Sequence, residues 1–103
     1  MQAIENLTQL RGRIVCRAPH PDRAGYDLLT LSVNETLPVE GKADLLGRQR
    51  GATLDVAVPS DLLGQAAVGA HVDLRAKMTP DGALAEPHPE PGNFAVAADP
   101  DSG

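Results

Sequence analysis

Arg11, Arg13 and Arg17 fall at odd positions in RGRIVCRAP, and they carry the clearest chemical signal in the chain. A guanidinium can bind phosphate oxygens bidentately, and a row of cations along a groove is what contact with a nucleic-acid backbone needs. Arg75 and Lys77 repeat the spacing in HVDLRAKM, and Lys42, Arg48 and Arg50 follow one another in NETLPVEGKADLLGRQRG. Tyr26 is the one aromatic ring in the body of the chain that can stack on a base. The competing account is a solvated face whose arginines pair with Asp55, Asp73 or Glu40, which is what a charge run commonly is.

Cys16 sits among these arginines with His20 just beyond it. A nucleophilic thiol needs a lowered pKa and access to substrate. Alternation along the strand sends Cys16 inward, where a free cysteine behaves as a small hydrophobe. Cys16, His20, His71 and His88 include no compact pair with zinc-like spacing, so neither a metal nor any other cofactor is expected. The chain has no phosphate-binding glycine loop, no GxSxG and no HExxH, which points away from an enzyme.

The elements that must position these residues are mostly strands. In LRGRIVCRAP, Leu10, Gly12, Ile14 and Cys16 alternate with Arg11, Arg13, Val15 and Arg17, the period of a half-buried strand. Pro19 and Pro21 end it, and PHPDRAG is a loop by composition. YDLLTLSV gives a second strand with Leu29, Leu31 and Val33 on one face, and residues 34–51 make a long, partly ordered connection. ATLDVAV is a third strand. Ser60 then suits an N-cap, and DLLGQAAVG predicts a helix of about two turns ended by Gly69. AHVDLRAKM is a fourth strand, TPDG a turn, and Ala83 to Glu86 open a fifth. Residues 1–9 form a short start. Residues 87–103 read as an acidic, Pro/Gly-rich tail in which FAVA could dock as an edge strand.

This order predicts an all-β chain: a five-stranded OB-fold barrel over residues 10–86, with one short helix between strands three and four. On Leu10-Arg11-Gly12-Arg13-Ile14, VCRAP at 15–19, Leu29 to Val33, Leu54 to Val58, Leu62 to Gly69 and Val72 to Leu74, the chain resembles the bacterial single-stranded DNA-binding proteins and the related primosomal replication protein B group. The resemblance implies an OB-fold, a replication or repair accessory role and a binding loop in the long connection. Members of that group stack bases on aromatic rings. Here there is no tryptophan, so the expected binding is weak and mainly electrostatic.

Charge and composition bound the partners. All nine basic residues lie between Arg11 and Lys77, nine acids between Leu10 and Gly82 balance them, and Glu5, Glu86, Glu90, Asp99 and Asp101 account for the net charge of −5. A neutral body with an acidic end fits either of two partners. One is single-stranded nucleic acid, for which the tail could compete. The other is a protein, including a second copy paired through an open strand edge. No apolar run approaches the ~18 residues of a membrane span, and Met1 to Leu10 carries no basic leader. The single cysteine suits a reduced, cytoplasmic protein.

Overall fold

A computed structural model describes residues 5–98; Met1 to Ile4 of the expected start and Asp99 to Gly103 of the expected acidic tail lie outside them. Among the described residues six strands form in the order β1 (Thr8–Pro19), β2 (Tyr26–Pro38), β3 (Thr53–Pro59), β4 (His71–Thr79), β5 (Gly82–Ala85) and β6 (Ala95–Ala97). A 3-10 turn at Gly47–Gln49 precedes β3, and a single helical turn, α1 (Ser60–Leu63), follows it. The sheet runs β1-β2-β3-β5-β4 and closes on itself through β1–β4, with β3 and β5 parallel. This is a closed five-stranded barrel, compatible with an OB-fold. Within the expected tail, β6 lies antiparallel on β4, with Val72 opposite Val96.

The interior is aliphatic, as alternation requires. Leu10, Ile14, Leu29, Leu31, Val56, Val58, Val72 and Leu74 are buried, and Phe94 packs against them from outside the barrel strands. The connection after β2 is better anchored than its glycines suggest. Leu46 is fully buried, Thr36 Oγ1 donates to Gly47 O at 3.2 Å, and buried Thr8 donates to Asp44 Oδ1 at 2.6 Å. Burial of one leucine side chain is worth about 1.5–3 kcal/mol, which adds to these hydrogen bonds in anchoring the segment.

Two local readings of the sequence are corrected. The helix is one turn rather than two, because Gly64 takes φ +53° and leaves the helical region. Ser60 is not its cap: its hydroxyl donates instead to Asp27 Oδ1 at 2.9 Å. The second correction concerns β1. Ile14 faces Leu31 but Cys16 faces Thr30, so Val15 is an extra, unpaired residue, a β-bulge. One added residue inverts the alternation beyond it. Cys16 is therefore exposed rather than buried. Arg17 now lies opposite buried Leu29 and shares its side of the sheet.

Candidate binding surface

Register across β4, β1 and β2 brings three of the expected arginines onto one outer face. Arg75 lies opposite Gln9, Asp73 opposite Arg11, and His71 opposite Arg13; on the other side Arg11 meets Glu35 and Arg13 meets Ser32. Directly opposed side chains on one face are within reach of each other. Arg11 is accordingly held between two carboxylates, with Nη1 3.2 Å from Glu35 Oε2 and Nε 3.2 Å from Asp73 Oδ2. The Asp73 charge, then hydrogen bonds to Glu35 and Asp73, raise the Arg11 pKa above its ordinary value. Gln9 Nε2 also donates to Asp73, and Arg75 Nε donates to Gln9 Oε1 at 2.9 Å. Arg13 Nε donates to Gly69 O at 3.4 Å. This face is a hydrogen-bonded ladder of both charge signs, close to the solvated face weighed from the sequence, with Asp73 as its hub.

Arg17 is not part of that face. The bulge turns it toward the end of the barrel, where Nε binds Asp27 Oδ2 at 2.6 Å and Nη1 donates to Gly64 O at 3.0 Å and Ala66 O at 2.5 Å. Only 21% of the Arg17 side chain and 13% of the Asp27 side chain are exposed, so this pair clasps the chain after α1 to β1 and β2. Burial pushes the Asp27 carboxyl up. Hydrogen bonds from Arg17 and Ser60, with the Arg17 charge, outweigh that and hold it below the ordinary aspartate value.

The remaining expected residues are dispersed. Lys42 pairs with Glu5, whose carboxyl is lowered by that hydrogen bond and by the Lys42 charge. Lys77 is exposed on β4 and shares a second groove with Lys42. Arg48 and Arg50 are exposed and make no ion pair or hydrogen bond among the described residues. Tyr26 is half-buried, and the Arg23 guanidinium lies 5.1 Å from its ring centre, a cation–π contact that covers one face. Among the described residues, no group of three or more His, Cys, Asp and Glu side chains is placed to hold a metal, and no helix is long and apolar enough to cross a membrane.

Sequence reading missed a groove. OB-type barrels take ligands on the outer face of strands two and three, between the loops joining strands one to two and four to five. Here that position is a cavity of about 610 Å³ between the 20–25 loop and the turn after Thr79. Leu28 pairs with Ala57 across β2 and β3, and Ala57 with Leu84 across β3 and β5, which makes an apolar floor. Asp22, Asp55 and Asp81 line it with a single arginine, Arg23, already seated on Tyr26. The available signal was one aspartate in each of the loops PHPDRAG and TPDG, which the barrel order places beside one face.

No protein-family model matches the chain, and no curated protein matches it in sequence.

Proposed function

We propose that this chain is a non-enzymatic barrel module that binds a protein partner. The observation that carries this reading is the character of the groove on the β2–β3 face: an apolar floor, no free aromatic platform, and three carboxylates against one cation. Such a lining repels phosphate and suits a peptide. The ladder on the β4–β1–β2 face supports the same reading, since Arg11 already meets two carboxylates.

A second reading, weak binding of single-stranded nucleic acid in a replication or repair setting, is favoured by one observation. Arg48 and Arg50 project from the β2–β3 connection with no ion-pair partner among the described residues. Fluorescence anisotropy with labelled oligo-dT at low and physiological salt separates the two. The protein-module reading expects no saturable binding at either salt. Low-salt binding that weakens steeply with salt and disappears in Arg48→Ala/Arg50→Ala would overturn it, because counterion release marks phosphate contacts.

A further inference from the structure

We infer that the groove between the 20–25 loop and the turn after Thr79 takes an extended, basic segment of a partner protein, with an apolar side chain seated between two cationic ones. This rests on the protein-module reading and names the chemistry of its partner. The floor is one row of side chains across three adjacent strands, Leu28, Ala57 and Leu84. Strands lie about 4.8 Å apart, so the row spans roughly 10 Å, room for one or two apolar side chains rather than a broad hydrophobic interface.

Charge decides the flanking residues. Asp22 stands on one wall and Asp81 on the other, both exposed, and neither carboxylate forms an ion pair among the described residues. Asp55 accepts a hydrogen bond from Thr30 Oγ1 at 2.8 Å and lines the groove beside the floor. The neighbouring cation, Arg23, is turned onto Tyr26. Local hydrogen bonds hold both walls: His20 N–H donates to Tyr26 O at 3.0 Å, and Asp81 N–H donates to the Thr79 hydroxyl Oγ1 at 3.1 Å. The acids are thus presented from ordered turns. In an extended segment, the residues on either side of the seated apolar one point away from the floor, toward the rims where Asp22 and Asp81 are exposed, and a long cationic side chain can lie against them.

The probe is a fluorescein-labelled peptide with an Arg-Val-Arg core, tested on the full chain beside a Glu-Val-Glu peptide. The Arg-Val-Arg peptide is expected to bind with salt-dependent affinity, and Asp22→Asn/Asp81→Asn to weaken it by about tenfold, the scale of two exposed ion pairs. Leu28→Ser is expected to weaken it as well, and amide NMR shifts on titration to concentrate at Leu28, Ala57 and Leu84. The double aspartate variant alters exposed loop side chains only, so its fold is expected to persist if Leu28→Ser does not fold. Absence of binding by the Arg-Val-Arg peptide, or binding that the double variant leaves unchanged, overturns the inference. Equal binding of the Glu-Val-Glu peptide overturns the charge assignment while the protein-module reading survives. Displacement of the peptide by oligo-dT overturns both.

Discussion

Gly12→Ala should destabilise the barrel through a steric clash that no side-chain rotation can relieve. Gly12 is buried on β1 between Val33 of β2 and Val72 of β4, so neighbours hold it on both sides. A Cβ placed there would lie 2.5 Å from Ser32 O, 3.2 Å from Ser32 C and 3.3 Å from Val33 Cα, all backbone atoms. The first of these falls about 0.9 Å short of an ordinary contact of 3.4 Å. The two strands must separate, yet β1 cannot recede without disturbing the closing β1–β4 ladder. Overpacking of this kind costs about 1–3 kcal/mol. The reduced unfolded-state freedom of alanine returns about 0.4–1 kcal/mol, and a net loss of about 1–1.5 kcal/mol lowers Tm by roughly 5–10 °C in a domain this size. Gly12 is not among the glycines with positive φ, so the loss would come from space and not from backbone preference. Thermal and urea unfolding followed by far-UV circular dichroism measures it. A Tm within about 2 °C of the parent would refute the account, because a well-packed interior does not absorb such a shift freely.

Two further outcomes follow from the same geometry. Asp27 has a folded-state pKa below its unfolded value, so its contribution to stability is present above about pH 3.9 and is lost as pH falls through the lower folded value. Urea midpoints measured from neutral pH down to the acid limit should therefore decline less steeply below that point in Asp27→Asn than in the parent; an unchanged acid slope would count against the Arg17–Asp27–Ser60 cluster. Cys16 is exposed next to the Val15 bulge, so the native protein should react with Ellman's reagent without prior unfolding, and Cys16→Ser should shift stability by less than about 0.5 kcal/mol. A thiol that reacts only in denaturant would restore the buried assignment.

The arginines show how register turns a charge pattern into a surface. Read along the strand, Arg11, Arg13 and Arg17 look equivalent. In the barrel, Arg11 meets two carboxylates, Arg13 donates to the Gly69 carbonyl, and Arg17 clasps Asp27 at the barrel's end. The groove on the β2–β3 face arises in the same way. Its floor residues come from three strands, and the acids on its walls come from two loops far apart in the chain.

The sequence alone determined the strands, their order, the turn at TPDG and the aliphatic core, because alternation and turn chemistry are local properties of a few neighbouring residues. Leu29, Leu31, Val33, Val56, Val58, Val72 and Leu74 face inward as their spacing requires. Only the tertiary structure decided the sides of Cys16 and Arg17, the one-turn helix, the anchoring of Leu46 and the partners of each cation. A bulge inserts one residue without a local signal, and everything beyond it changes face. Arg11 and Asp73 are 62 positions apart, so their pairing exists only once β1 and β4 close the barrel in that register. The site was hidden for the same physical reason: side chains distant in sequence acquire a common chemistry only when strand pairing sets them side by side.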